Sequence, residues 1–320
     1  MRHVPRPSSH PKVQSAAVFP KIAAQLARGF LMGAADVVPG VSGGTVALVL
    51  GIYDKLIDTV RSGSRALGML LKGDLRGFWK RARSIDWLFL TPLLAGVGVA
   101  IVSLASIIET QLRETPEEMA GLFFGLVGGS VAVAQRMLTK RRTEHVIIVT
   151  AIGVITFWLL GFQSGPVTDP SPLMLAGAGA LAICAMILPG ISGSFILLMM
   201  GMYTAVLGAV HDRVFVDLAL IGVGAVLGLA IFSSLLGWVL DRQFNRVMAA
   251  LIGLMLGSLR VLWPWPNGVG IIAEDESEVI DGTALEWPAD LEAFTGPSVL
   301  AVVGFGLVMA TTQIGSRRGT

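Results

Sequence analysis

The stretch Gly33-Ala-Ala-Asp-Val-Val-Pro-Gly-Val-Ser-Gly-Gly-Thr45 decides the fold, because a Pro-Gly break interrupts an otherwise apolar segment. The break returns 150 positions later in Leu188-Pro-Gly-Ile-Ser-Gly-Ser194, with the same Pro-Gly-x-Ser-Gly core. The register then continues without a gap to Tyr53 and Tyr203. Proline and glycine disrupt helices, and a break that recurs at a fixed spacing indicates an internal repeat. The pair predicts two broken intramembrane hairpins, around which the remaining chain is arranged.

Composition places most of the chain in a membrane. Of its 320 residues, 53% are hydrophobic and 14% are charged, and the mean hydropathy is +0.73. Soluble proteins carry about 25% charged residues, and roughly 20 consecutive apolar residues cross a bilayer. The sequence therefore predicts an all-α polytopic membrane protein, for which no nucleic-acid partner is expected. It does not specify the oligomeric state.

Residues that would support metal or nucleophilic chemistry are sparse. The one cysteine, Cys184, excludes an intrachain disulfide and a cysteine-based metal cluster. The four histidines are scattered without metal-ligand spacing, and no Ser-His-Asp or paired-carboxylate arrangement can be identified. We therefore expect no cofactor, no metal and no catalytic residue, and expect that the protein is not an enzyme.

Charged and apolar segments divide the chain into a tail and two membrane repeats. Residues 1–21 are basic and proline-rich, which predicts a disordered cytoplasmic tail and not a signal peptide. The first repeat, 22–162, comprises a re-entrant hairpin at 22–57 and spans at 85–108, 119–135 and 146–162. The second repeat, 173–312, comprises a re-entrant hairpin at 173–210, spans at 216–240, 247–263 and 298–312, and an acidic outer loop at 264–297.

The distribution of charge predicts how the segments cross the membrane. Lys and Arg favour the cytoplasmic side of short loops, and they concentrate in 58–84, 136–145 and 241–246. The loop 264–297 holds eight acidic residues and no Lys or Arg. With the N-terminus inside, every basic connector is cytoplasmic only if each Pro-Gly hairpin enters and leaves on one side. The two hairpins then dip in from opposite faces, which predicts an inverted repeat with both termini cytoplasmic.

A second internal match supports the repeat. Phe123-Phe-Gly-Leu-Val-Gly-Gly-Ser130 resembles Leu251-Ile-Gly-Leu-Met-Leu-Gly-Ser258. Inverted repeats with interrupted helices are typical of secondary transporters, whose cargo binds at the repeat interface near the middle of the membrane. The glycines of these helices also have a purely structural interpretation, since their spacing permits close helix contact.

The two hairpin tips are the candidate site. Irregular backbone inside a bilayer needs internal polar partners, and a helix restarting after the break presents unpaired amides and a positive dipole end. Such ends suit phosphate. The alternative is structural, with glycines forming tight turns and hydroxyls capping helices. The candidate phosphate-binding residues are Gly40, Val41, Ser42, Gly43, Gly44 and Thr45 in the first tip and Gly190, Ile191, Ser192, Gly193 and Ser194 in the second.

Three charged residues lie inside or beside apolar segments, where charges are costly and are functional candidates. Asp36 precedes the first tip. Because a carboxylate repels phosphate, Asp36 is expected to act in gating or proton coupling and not in direct binding. The alternative is that it caps the tip through hydrogen bonds. Arg28 lies about 15 Å from the tip by helical rise and either meets phosphate at the inner mouth or snorkels to headgroups. Arg260 is an accessory phosphate contact on the outer side, or belongs with its neighbouring tryptophans to an interfacial belt.

At these motifs the chain resembles the polyprenyl-phosphate transporter family, the undecaprenyl-phosphate translocases formerly known as a domain of unknown function. Besides the two Pro-Gly stretches, the matching residues are Gly51-Ile-Tyr53, Asp86-Trp87, Gly201-Met-Tyr203 and Leu259-Arg-Val-Leu-Trp-Pro-Trp265. The similarity covers about residues 25–312. It implies a flippase that returns polyprenyl phosphate from the outer to the inner leaflet of the cytoplasmic membrane, where the lipid carrier is reused in cell-envelope synthesis.

The residues alone leave other functions open. They predict an anion site suited to a lipid phosphate or to small phosphate, so a small-anion or phosphate transporter is one alternative. A membrane lipid phosphatase is another. Against the phosphatase, no histidine lies near either tip in the sequence, and no nucleophile–base pair can be identified.

Overall fold

The computed structural model describes residues 12–36, 42–138, 142–162, 167–266 and 285–317. Within these ranges the secondary structure is helical, and no β-strand is present. The helices are α1 (Lys12–Asp36), α2 (Gly43–Val49), α3 (Tyr53–Leu71), α4 (Leu75–Ala82), α5 (Trp87–Glu114), α6 (Pro116–Met137), α7 (Thr143–Leu159), α8 (Pro172–Ile187), α9 (Gly193–Met199), α10 (Tyr203–His211), α11 (Phe215–Ser258) and α12 (Leu291–Arg317).

Several of these helices match the thickness of a bilayer. Among the described residues, four segments are long and apolar enough to cross it: Trp87–Leu104, Pro116–Met137, Phe215–Ser258 and Leu291–Ala310. Helices α7 and α8 are apolar but shorter, at 17 and 16 residues. Helices α9 and α10 form one apolar unit bent by 115°. The predicted all-α polytopic membrane class is confirmed.

The polar connectors contain more helix than the sequence predicted. Helix α1 begins at Lys12, inside the expected disordered tail, whereas residues 1–11 lie outside the described part. Most of the connector 58–84 belongs to α3 and α4. The spans 216–240 and 247–263 are not separated by a loop, because α11 continues through 241–246 with one non-helical residue, Gln243 (φ −138°, ψ 45°).

The acidic outer loop is described in part. Residues 267–284, which contain five of its eight acids, lie outside the described residues. Its last residues are already helical, because α12 begins at Leu291 and not at the predicted 298. Asp290 initiates this helix: its Oδ1 accepts a hydrogen bond from the amide of Ala293 at 2.8 Å, which is the usual role of Asp at a helix N-terminus.

The two broken hairpins share one backbone geometry. Helices α2 and α9 each have 7 residues, Gly43–Val49 and Gly193–Met199. Each is followed by a glycine with positive φ, +67° at Gly51 and +66° at Gly201. A residue with a Cβ rarely adopts this conformation, whereas glycine adopts it readily. The segments that follow the two Pro-Gly motifs therefore have the same backbone conformation at equivalent glycines.

Helix packing outside the hairpins follows the same pattern twice. Helix α1 contacts α5 where Gly29 lies against the carbonyl of Leu93, and α8 contacts the first half of α11 where Gly179 lies against the carbonyl of Ile221. The helix backbones approach so closely because glycine lacks a Cβ. Gly179 is the counterpart of Gly29 in the repeat, so equivalent helices make equivalent contacts.

The last helix of each half packs against the other half. Helix α12 contacts α6, where Gly125 lies against the carbonyl of Ala301, and α7 contacts the second half of α11, where Gly253 lies against the carbonyl of Val149. Gly125 and Gly253 are paired in the second sequence match. The two halves are thus joined by a mutual exchange of helices.

The first hairpin lies in the middle of the protein. Leu48 of α2 belongs to the main buried cluster, together with Val127 of α6 and Met255 of α11. The outer helices expose their apolar side chains instead, with Val102 of α5 86% and Val302 of α12 74% accessible. An apolar exterior of this kind is what lipid contact requires, and the polar tips are enclosed by the helices between.

Candidate functional site: the two hairpin tips

The first tip is capped by side chains of its own hairpin. Of its predicted site residues, Gly40 and Val41 lie outside the described part of the chain, and Ser42 is the N-cap of α2. The Ser42 hydroxyl accepts a hydrogen bond from the amide of Gly44 at 3.1 Å. The amide of Gly43 donates to Asp36 Oδ1 at 2.6 Å. These two amides, which the sequence analysis expected to be unpaired, therefore have partners.

The structure brings the two tips together. The hydroxyl of Ser42 donates to the carbonyl of Met186 at 3.1 Å, and Thr45 Oγ1 accepts a hydrogen bond from the amide of Gly190 at 2.8 Å. Ser42 and Thr45 are buried, at 1% and 2% exposure. Buried hydrogen bonds to backbone groups satisfy atoms that the Pro-Gly break leaves without helical partners. We call these two contacts the clasp between the hairpins.

Tyr53 adds a contact that the sequence analysis did not assign to the site. Its hydroxyl donates to the carbonyl of Ile187 at 3.2 Å, and its side chain is 2% exposed. The signal was present in the sequence, because a tyrosine occupies this register position in both repeats. It was used there only to align the repeats.

The second tip has a different chemistry. The hydroxyls of Ser192 and Ser194 lie 2.7 Å apart and bond to each other. Ser192 is the N-cap of α9, but its side chain caps no amide. Among the described residues, the amides of Gly193 and Ser194 have no hydrogen-bond partner. The open amide end that the sequence predicted is therefore found at this tip.

Residue 186 explains much of the difference. Asp36 of the first hairpin corresponds to Met186 of the second, which is 42% exposed. The two side chains approach equivalent glycines: a Cβ on Gly43 would lie 2.8 Å from Asp36 Oδ1, and a Cβ on Gly193 would lie 2.7 Å from Met186 Cγ. A thioether cannot accept hydrogen bonds as a carboxylate does, so the second amide end is not neutralised.

The turn of the second tip rests on α11. Gly190 has φ +91°, and a Cβ at this position would lie 2.7 Å from Met255 Cα. Ile191 follows it and is half-buried, before Ser192 begins α9. Both the positive φ and the close backbone approach require glycine here.

The two candidate arginines have different relations to the tips. Arg260 lies over the ring of Phe157, with Cζ 4.8 Å from its centroid, and the next residue, Val261, belongs to one buried cluster with Leu160 and with Phe195 of α9. The structure therefore places Arg260 in the segment beside the second tip. Arg28 lies on α1, and within the described residues no hydrogen bond or ion pair joins it to either tip.

These features define a polytopic α-helical membrane protein in which two broken hairpins meet through polar contacts in the core. Residues 32–280 match the family model described as undecaprenyl phosphate translocase-like. The chain belongs to this family, as its motifs predicted.

Two curated relatives agree with this assignment. The polyprenyl-phosphate transporter of Vibrio cholerae serotype O1 is 40% identical over 238 residues, which cover 74% of this chain and 76% of the relative. The polyprenyl-phosphate transporter of Staphylococcus aureus is 32% identical over 254 residues, covering 74% of this chain and 84% of the relative. No solved structure matches the chain.

Proposed function

We propose that the protein transports polyprenyl phosphate across the cytoplasmic membrane, from the outer to the inner leaflet, for reuse in cell-envelope synthesis. Its family and the names of its two relatives support this cargo. The observation that carries the proposal is the polar junction of two broken hairpins within an otherwise apolar helical core. An apolar tail can then stay in lipid while the charged headgroup passes through the protein.

In this proposal the second tip binds the phosphate. The amides of Gly193 and Ser194 and the hydroxyls of Ser192 and Ser194 supply several donors at the positive end of a helix. Arg260 adds positive charge in the neighbouring segment and acts on headgroups arriving from outside. Arg28 receives them at the inner mouth.

At the first tip, Asp36 competes with the phosphate for a backbone amide. Its carboxylate already accepts the hydrogen bond of Gly43, so it occupies the amide that an incoming phosphate oxygen would use. The Asp36 carboxylate and a phosphate oxygen close to the same amide would repel each other, because both are negatively charged. Asp36 must therefore move away or take up a proton before the headgroup engages both tips, which couples binding to gating or to proton transfer.

The tail reaches the site sideways. A long isoprenoid chain cannot be drawn cheaply through an aqueous pore, since each buried CH₂ is worth about 0.8 kcal/mol. Met186 is 42% exposed and lies against Gly193 at the second tip. Lipid-accessible surface is thus directly beside the proposed headgroup site, and a tail can lie there while the phosphate is bound.

We further propose that the two halves are inverted in the membrane and rock against each other around the tips. The repeated hairpin geometry and the exchanged helices α7 and α12 support two equivalent units. The basic connectors support the predicted topology, with both termini cytoplasmic. Alternating access around a fixed midplane site is how inverted-repeat transporters work.

Transport of labelled polyprenyl phosphate into proteoliposomes tests the proposal. The double variant Ser192→Ala, Ser194→Ala is expected to reduce the rate by about 100-fold, because each removed hydroxyl costs roughly 1–1.5 kcal/mol at a bound phosphate. The matched control, Ser103→Ala with Ser171→Ala, changes hydroxyls that bond within or cap other helices. Wild-type rates in the tip variant would refute the assigned site.

Two companion measurements separate the other functions. Uptake of inorganic phosphate that competes with the lipid would favour a small-anion transporter using the same tips. Release of inorganic phosphate from the lipid would favour a phosphatase. Transport of the intact lipid, with neither of these signals, is the expected result.

A further inference from the structure

Helix α4 presents an apolar face that the described part of the protein does not cover. Its sequence is Leu-Arg-Gly-Phe-Trp-Lys-Arg-Ala, and none of its residues is buried. Leu75 and Trp79 are both 59% exposed, and at a spacing of four residues they lie on the same face. A tryptophan and a leucine exposed side by side form an apolar patch, and such patches are typical of surfaces that contact another protein or a membrane.

A hydrogen bond sets the position of α4 relative to the membrane. The indole Nε1 of Trp87 donates to the carbonyl of Ala82, the last residue of α4, at 2.8 Å. Trp87 is also the first residue of a membrane-spanning segment, and tryptophan concentrates at the boundary between hydrocarbon and water. The C-terminal end of α4 is therefore held at the depth of the lipid headgroups.

The polar residues of α4 are mostly cationic. Arg76, Lys80 and Arg81 lie in the helix, and Arg83 directly follows it. Within the described part of the chain none of the four forms an ion pair. The nearby acid, Asp74, is used as the N-cap, with Oδ1 accepting from the amide of Gly77 at 2.8 Å. Among the described residues, these basic side chains therefore have no acidic partner that neutralises them.

We propose that α4 docks on anionic phospholipid: Leu75 and Trp79 insert between lipids, and the four basic residues bind headgroup phosphates. Apolar residues beside Lys and Arg at an interfacial helix are the features that anionic lipid surfaces recognise. In the proposed topology this is the cytoplasmic leaflet. Helix α4 is connected to the first hairpin through α3. Docking of α4 on the membrane therefore also anchors the first hairpin at the membrane surface. The inference does not depend on the identity of the transported cargo.

The depth of α4 is tested with spin labels on the full-length protein in lipid nanodiscs. Cys184→Ser removes the native thiol, and Trp79→Cys or Lys80→Cys then introduces a single label. Collisions with oxygen are expected to exceed those with a water-soluble nickel chelate at position 79, and the order is expected to reverse at position 80, which points away from Leu75 and Trp79. A label at position 79 that meets mainly the nickel chelate would overturn the proposal.

The lipid class is tested with an environment-sensitive fluorophore at position 79. Nanodiscs contain phosphatidylcholine with increasing phosphatidylglycerol, and the emission of the fluorophore reports its insertion. Replacing the four basic residues by glutamine (Arg76, Lys80, Arg81, Arg83) is expected to raise the phosphatidylglycerol fraction needed for half the shift by at least about fivefold. Salt at 0.5 M is expected to act in the same direction, because it screens charge.

The matched control removes the same charge elsewhere, at Arg136, Arg142, Arg213 and Arg242, and is expected to leave the response unchanged. Full insertion in pure phosphatidylcholine, or the same response of both variants to phosphatidylglycerol, would refute selection of anionic lipid. A shift that requires an added acidic protein, and not phosphatidylglycerol, would assign the surface to a protein partner and overturn the proposal. Neither readout involves transport, so failure here is distinguishable from failure of the proposed function.

Discussion

The short helices that follow the two hairpin tips have the same backbone geometry, but their leading amides differ in hydrogen bonding. Helices α2 and α9 have equal length, and each is followed two residues later by a glycine whose φ angle differs by one degree between the two hairpins. At the first tip the leading amides bond to Asp36 and Ser42. At the second tip the corresponding amides have no partner among the described residues, and the hydroxyls of the tip bond to each other.

The difference separates two roles that one motif can perform. In the first tip the hydroxyls of Ser42 and Thr45 hold the backbone of the other hairpin, so they build the clasp. The second tip leaves its helix end available to an anion. The repeated motif is thus followed by a short helix of the same length in both hairpins, while the residue at position 36 or 186 decides whether the first amide of that helix is capped.

The largest expected effect comes from removing the glycine on which the second tip turns. Gly190→Ala combines positive-φ strain with a clash against Met255, and is expected to destabilise the protein by about 3–5 kcal/mol. Gly51→Ala is the matched control: it has a similar φ but no neighbour within 4 Å. Thermal unfolding in detergent measures both. Equal losses would show that contact with α11 contributes nothing.

Making the tips chemically alike is expected to have the next largest effect. Met186→Asp places a carboxylate where Asp36 lies in the first hairpin, so it should cap Gly193 and exclude phosphate. Transport in proteoliposomes is expected to fall about 100-fold, equivalent to about 2.7 kcal/mol. Met186→Leu keeps the volume without the charge and should transport normally. An active Met186→Asp variant would contradict the role of the second tip.

Breaking the clasp tests the other half of the comparison. Thr45→Val preserves shape but removes the acceptor for the buried amide of Gly190. An unsatisfied buried donor costs about 1–3 kcal/mol, and the unfolding temperature should fall accordingly. Ser194→Ala removes a hydroxyl that holds no backbone group, so it is expected to weaken transport with little change in stability. The reverse pattern would exchange the roles of the two tips.

The smallest expected effect tests whether Asp36 couples lipid transport to proton movement or only contributes to lipid binding. Asp36→Asn keeps the geometry but cannot exchange a proton. Lipid accumulation driven by a pH gradient is expected to fall about tenfold, or about 1.4 kcal/mol, while exchange without a gradient stays within about twofold. Asp58→Asn, an exposed acid in α3, is the control. If exchange falls together with accumulation, Asp36 serves binding or structure and not coupling.

Local chemistry made much of this architecture predictable. Membrane class followed from composition, and the interruption of the helix near each Pro-Gly motif followed from the local effect of proline and glycine on a helix. Family membership followed from the same motifs and is confirmed by the matching residues 32–280. The connectors were predicted less well: residues 241–246 look like a loop because they are charged, yet exposed charges on a helix surface do not interrupt its hydrogen bonds.

By itself the sequence determined that the helical chain is interrupted twice at equivalent positions, and it predicted which residues stand at the two tips. Only the tertiary structure decided that Thr45 holds Gly190, that Asp36 closes one helix end, and that α7 and α12 exchange between the halves. The physical reason is the separation in sequence between the residues that decide each feature. Turn geometry depends on neighbours in the chain, whereas the partner of a buried polar group depends on which segments, distant in sequence, are brought together when the helices pack.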